Sequence, residues 1–183
     1  MRNVKRAEEI KAQLDAGNFE YSGAMYAQMM DMYTAQGDLD KALQLQKTAL
    51  KLDKTFVPDA YKFMNLAALM IKKGKTDEAI QMLDDYAKKY DRQFEFDSLE
   101  RNVFRILNAA AEAGDAGGLK KVWQALNSLG QLTPSNLLCG PFVKVHILKN
   151  DTKGTLILQY LFTKSLIHSV CISSSCQIWL VWS

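Results

Sequence analysis

Three glycine-led segments of this chain resemble one another: Gly37-Asp38-Leu39-Asp40-Lys41-Ala42-Leu43, Gly74-Lys75-Thr76-Asp77-Glu78-Ala79-Ile80 and Gly114-Asp115-Ala116-Gly117-Gly118-Leu119-Lys120. A fainter fourth copy is Asn150-Asp151-Thr152-Lys153-Gly154-Thr155-Leu156. Counting from Gly37 to Gly74, Gly114 and Asn150, the spacings are 37, 40 and 36 residues. Asn at the head of the last copy is informative, because Asn commonly replaces Gly where a helix ends in the left-handed conformation. A recurrence at this interval is the mark of a repeat architecture. The 183 residues then amount to four or five stacked units rather than one ordinary core.

Each turn lies between stretches of helical period. After the second turn, Ala79, Met82, Leu83, Tyr86, Ala87 and Tyr90 follow an i, i+3, i+4, i+7 stripe. Tyr26, Met29, Met30 and Tyr33 do so before the first turn. Leu99, Val103, Ile106, Leu107 and Ala110 precede the third turn in the same way, and Leu119, Val122, Trp123 and Leu126 follow it. Start signals agree with this reading. Asp97 and Glu100 have capping-box spacing, Thr133-Pro134 has the pattern of an N-cap followed by Pro at the first helical position, and Pro58 opens another helix. The pattern predicts helix pairs at roughly 22–52, 58–90, 97–130 and from 134 onward, with a partial helix at 4–16. One such hairpin cannot bury its stripe alone, and stacked neighbours can. The expected fold class is therefore all-α, a solenoid of about four helical-hairpin repeats. Its units are expected at about 22–57, 58–96, 97–133 and, in part, 134–156, within an array spanning 1–156. A single helical bundle would use the same patterning and is the alternative.

Composition supports a folded helical chain and excludes several classes. With 48% hydrophobic and 23% charged residues, wholesale disorder is not expected. The formal net charge is +3, and Lys164 is the one charged residue beyond 153, so residues 1–153 carry +2. That permits nucleic-acid contact without arguing for it. Three cysteines, at 139, 171 and 176, do not form a disulfide framework. Met1-Arg2-Asn3-Val4-Lys5-Arg6 leads into Ala7-Glu8-Glu9 rather than an apolar segment, so no secretory signal is read. The acids at Glu8 and Glu9 also argue against a transit peptide, so an import address is expected to lie outside this chain.

Two repeat families share the helical hairpin. The tetratricopeptide repeat has a period of about 34 and small residues where its helices cross. Here the crossing position holds Met30 in one unit and Ala67 in the next, and the places of the late Pro hold Lys54 and Asp91. Tyr26…Gly37-Asp38-Leu39-Asp40-Lys41-Ala42-Leu43…Pro58-Asp59 and Phe63…Gly74-Lys75-Thr76-Asp77-Glu78-Ala79-Ile80 more closely resemble the pentatricopeptide repeat, with Leu119 and Thr155 as departures at the alanine place of the later units. The resemblance covers about residues 20–156. It implies non-catalytic binding of single-stranded RNA, specifically mitochondrial mRNA, in mRNA stability or post-transcriptional regulation. It also implies a small protein partner, a mitochondrial location and no cofactor. A tetratricopeptide-type array would instead imply a protein–protein scaffold, with the cytoplasm as the alternative location.

Pentatricopeptide arrays read one base per repeat with two or three side chains. The base-reading place after the aromatic holds Ala27, Met64, Phe104 and Gly140, none of which offers a polar edge. Asp59 fits the second reading place. The RNA-binding candidates are Asp59, the helix-start aromatics Tyr21 and Tyr61 for stacking, and a phosphate rim of Lys72, Lys73, Lys75, Lys88, Lys89, Arg92, Lys120 and Lys121. The plainer alternative for the cations is solvated faces at helix C-termini. Tyr26, Tyr33, Phe63, Tyr86 and Tyr90 lie on apolar stripes and are expected in the core.

Other chemistry finds no support. Gly74-Lys75-Thr76 resembles the end of a phosphate-binding loop, but the Gly required five residues earlier is Leu69, so a helix C-cap is expected there. No Cys-x2-Cys or His-x3-His pair exists, and no metal site is expected. No nucleophile elbow or catalytic cysteine context is present. Asp84-Asp85 and Glu8-Glu9 are neighbours that cannot face each other on a helix.

Beyond Leu156 the character changes. Residues 165–183 hold no Asp, Glu, Lys or Arg and lack helical periodicity. Their length approaches a bilayer span, but Ser173-Ser174-Ser175 and Gln177 make a poor one, and no membrane partner is expected. The expectation is that 157–183 is an atypical tail, a non-native reading of alternatively spliced or non-coding sequence appended to a truncated fourth unit.

Overall fold

A computed structural model describes residues 4–17, 22–52, 59–90, 96–130, 132, 135–151 and 153. The expected tail, Tyr21, Pro58, Arg92 and Thr133-Pro134 lie outside the described residues. Among those described there are eight helices and no strand: α1 Val4–Ala16, α2 Gly23–Gln36, α3 Leu39–Leu52, α4 Ala60–Lys72, α5 Thr76–Tyr90, α6 Phe96–Glu112, α7 Ala116–Leu129 and α8 Asn136–Leu148. They are the helices of a hairpin-repeat solenoid.

The turns between paired helices share one geometry, and its cause is local. Gly37, Gly74 and Gly114 have φ of +82°, +81° and +68°, and Asn150 has +54°. At Gly74 the amide donates to the Ile71 carbonyl at 2.9 Å and the Lys75 amide donates to the Met70 carbonyl at 2.9 Å. The same pair of bonds recurs at Gly37, from Gly37 to Thr34 and from Asp38 to Tyr33, and at Asn150, from Asn150 to Ile147 and from Asp151 to His146. This closure satisfies the last carbonyls of the first helix while turning the chain into the second.

Start signals need more adjustment. Ser135 caps α8, its hydroxyl accepting from the Leu138 amide at 3.3 Å, so the cap lies beyond Thr133-Pro134. Asp59, not Pro58, caps α4, and its carboxylate accepts from the Tyr61 amide at 2.9 Å. α6 begins at Phe96, which places Asp97 inside the helix rather than at its cap. In each case sequence marked the loop correctly and missed by one or two residues, since several neighbouring side chains there are able to cap.

The stripes bury as their period requires. Ala79, Leu83 and Tyr86 of α5, Val103, Ile106, Leu107 and Ala110 of α6, and Leu119, Val122 and Leu126 of α7 are all buried. Stacking supplies the cover. α4 packs on α2 and α6, α6 packs on α8, and α5 packs on α7, so first helices form one layer and second helices another. Aromatic contacts tie the layers. Phe63 of α4 meets Tyr86 of α5 at 4.7 Å between ring centres, and Trp123 of α7 meets Phe142 of α8 edge-on at 5.5 Å. α2 departs from a one-sided stripe: Ala27, Met30, Asp31, Met32 and Tyr33 are all buried. α1 is fastened through Glu8, which accepts from the Tyr33 hydroxyl at 3.0 Å and pairs with Lys41 at 3.5 Å.

Candidate functional site

The layer of first helices presents a groove of about 740 Å³, lined by residues of α2, α4 and α6 and by the turns after α2 and α4. Helical period decides which residues reach it. On α4 these include Tyr61, Asn65, Ala68 and Lys72, an i, i+4, i+7, i+11 face. On α6 the corresponding face is Arg105, Asn108 and Glu112. Asp31 contributes from α2, and Lys73 from the turn that ends α4. Three cations, Lys72, Lys73 and Arg105, thus stand against two acids, Asp31 and Glu112.

The groove carries a hydrogen-bonded side-chain network at each end. Near the start of the first helices, the almost fully buried Asn102 donates from Nδ2 to the Asn65 Oδ1 at 3.0 Å and to the Tyr61 carbonyl at 3.4 Å. Arg105 Nη1 donates to the same Asn65 oxygen at 3.0 Å and to the Tyr61 hydroxyl at 3.4 Å. The Arg105 hydrogen bond, with a further one from Asn65, holds the Tyr61 phenol below its ordinary value. At the other end, Lys144 Nζ donates to Glu112 Oε1 and to Asn108 Oδ1, each at 3.0 Å, and Asn108 Nδ2 donates to Glu112 Oε1 at 3.1 Å. The Lys144 hydrogen bond leads in holding the Glu112 carboxyl below its usual range, with Asn108 assisting and partial burial opposing.

The structure separates the candidates that sequence grouped together. Tyr61, Lys72 and Lys73 line the groove, with Tyr61 41% exposed. The Asp59 carboxylate is engaged as a helix cap. Lys75 pairs with Glu78 at 3.5 Å outside the groove lining. Lys88, which pairs with Asp84, and Lys89 lie in the last turn of α5, at the opposite end of the hairpin from Lys72 and Lys73. Lys120 and Lys121 lie near the start of α7, where Lys121 pairs with Asp77 of α5 at 3.6 Å. The cations therefore do not make one continuous rim. Tyr21 and Arg92 lie outside the described residues.

The base-reading place of a pentatricopeptide repeat offers no polar edge in this chain, although Phe104 lines the groove. Ala27 and Met64 are buried in the core, Phe104 is half-buried against it, and Gly140 has no side chain. One residue later, Asn65 and Arg105 also line the groove, and sequence reasoning missed them. Both are polar residues 40 positions apart, the same interval as Gly74 to Gly114, and that shared register was the signal available.

Burial pushes the Cys139 thiol up to about 12, far from a reactive thiolate. His146 Nδ1 lies 2.8 Å from the Asp151 carboxylate, where the contact brackets the α8 turn. Among the described residues no three His, Cys, Asp or Glu side chains converge as a metal set. None of the helices described is long and apolar enough to cross a membrane.

A tetratricopeptide-repeat family model matches residues 33–103. The leucine-rich PPR motif-containing protein, mitochondrial, of Xenopus tropicalis is 31% identical over 163 residues, 89% of this chain and 11% of that protein. The Mus musculus protein of the same description is 27% identical over 154 residues, 84% of this chain and 11% of its own length. The chain therefore spans 11% of the length of the curated relatives it matches. Glycine-closed hairpins at this period, stacked first helix on first helix, together with these matches, make the chain a helical-hairpin repeat array, similar over most of its own length to one segment of the leucine-rich PPR motif-containing proteins.

Proposed function

We propose that this array is a non-catalytic surface for single-stranded RNA, in a mitochondrial protein concerned with mRNA stability or post-transcriptional regulation, acting with a small protein partner. The observation that carries the RNA reading is the groove's own chemistry: an exposed aromatic, Tyr61, beside Arg105, with Lys72 and Lys73 further along the same helix layer. Aromatic rings with adjacent cations are what a flexible polyanion with stackable bases requires. The mitochondrial setting rests on the names of the relatives. Of the sequence candidates, Tyr61, Lys72 and Lys73 are the contacts expected in the groove. Lys75, Lys88, Lys89, Lys120 and Lys121 would serve RNA that leaves it.

A protein–protein scaffold is the second reading. It is favoured by the acids Asp31 and Glu112 within the groove and by the tetratricopeptide-type match. Fluorescence anisotropy of the full chain with a labelled single-stranded RNA, titrated with salt, decides between them. RNA contact predicts an affinity falling log-linearly with salt, with a slope between about −1.4 and −2.1 for two or three neutralised phosphates. Absence of binding at low salt removes RNA from this segment and puts the scaffold first.

A further inference from the structure

Building on the RNA reading of the groove, we infer that Tyr61, Asn65 and Arg105 form a nucleotide subsite between α4 and α6 that selects a guanine base. The subsite is fixed from behind. Asn102, 3% exposed, and Arg105 together donate two hydrogen bonds to Asn65 Oδ1. With its oxygen occupied, the amide gives one Nδ2 proton to the Tyr61 hydroxyl and keeps the other as a donor. Arg105 commits Nη1 to Asn65 and to the Tyr61 hydroxyl, and its Nε and Nη2 remain as a planar pair of donors. The Tyr61 hydroxyl already accepts from Arg105 and from Asn65, so its own proton is its remaining contribution. Three residues thus offer donors beside a ring that is 41% exposed.

A donor-rich edge next to a stacking surface selects among bases. Guanine presents two adjacent acceptors, N7 and O6, that match a guanidinium fork. Adenine sets its N6 amino donor beside N7, and that donor would face the donors of Arg105 and Asn65. Cytosine places an amino donor at the same edge, and uracil offers its O4 with no second acceptor alongside. A bare phosphate needs no ring, and Lys72 and Lys73 stand elsewhere in the groove to meet one. None of the three residues is Met64 or Phe104, so this readout does not use the family's usual reading place.

The test is anisotropy with the full chain and labelled oligouridine carrying a central guanosine, adenosine or cytidine. Guanosine is expected to bind roughly fivefold or more tightly than the others, as one bidentate base contact provides. Arg105→Lys keeps the charge and loses the fork, so it should bring the guanosine oligonucleotide down to the affinity of the adenosine and cytidine ones. Tyr61→Ala should weaken every RNA by about fivefold or more through lost stacking. Matched circular-dichroism melts establish that both variants fold. RNA binding with normal salt dependence but no guanosine preference, or a preference that survives Arg105→Lys, overturns the subsite and leaves the RNA reading standing. No binding to any of these RNAs at low salt overturns both.

Discussion

Asp59 and Met64 show how a residue's type and its setting can disagree. Asp59 stands at a place where a pentatricopeptide repeat reads a base, yet its carboxylate accepts the Tyr61 amide at 2.9 Å as the N-cap of α4. Met64 stands at the other reading place and is wholly buried. Replacing Asp59 by Ala should therefore lower stability by about 1 kcal/mol, the usual cost of losing an acidic cap, and leave RNA affinity unchanged. A urea melt and an RNA titration on the same variant separate the roles, since lost affinity at full stability would make Asp59 a contact after all. The groove residues were hidden for a related reason. Asn65 and Arg105 differ from Met64 and Phe104 by one position, and on a helix one position rotates a side chain by about 100°. Only packing shows which of two neighbours the core has taken.

At the level of elements, the repeat is specified by its turns. Gly37, Gly74, Gly114 and Asn150 all occupy the left-handed region, where a side chain costs roughly 1–2 kcal/mol. A Cβ at Gly74 would meet nothing within 4 Å, so the penalty there is purely one of backbone conformation. Gly74→Ala should accordingly destabilise by about 1 kcal/mol. Asn150→Gly should move the denaturation midpoint the other way, by a few tenths of a kcal/mol, because Asn pays only part of that cost. Equal and unshifted midpoints for both variants would mean that these turns do not set hairpin stability. Helix bodies were legible because apolar residues at 3.6-residue spacing have one available solution. Their first residues were not, because Ser135 and Thr133, or Asp59 and Pro58, are all acceptable starts on local chemistry.

Across the molecule, each hairpin touches its neighbours and little else. α4 contacts α2, α3, α5 and α6, and α6 contacts α4, α7 and α8, so these two helices sit at the centre of the stack. Stability in such an array is a sum of unit and interface terms rather than one global quantity. Amide exchange should therefore be slowest in α4 and α6 and fastest in α1, which is largely exposed. Uniform protection over α1–α8 would contradict that graded picture and indicate a single cooperative core.

The sequence by itself determined the helices, their period and the left-handed closures, because these depend on contacts within one turn of chain. Gly37, Gly74, Gly114 and Asn150 needed no partner to announce themselves. Tertiary structure decided which face of each first helix meets solvent and which charges share a surface. Lys72 and Lys73 joined Arg105 in the groove while Lys88 and Lys89 went to the far end of the hairpin, and Glu112 took Lys144 from another unit. Those outcomes depend on how α4, α6 and α8 stack, and stacking brings together residues 32 to 44 positions apart whose proximity no local pattern encodes.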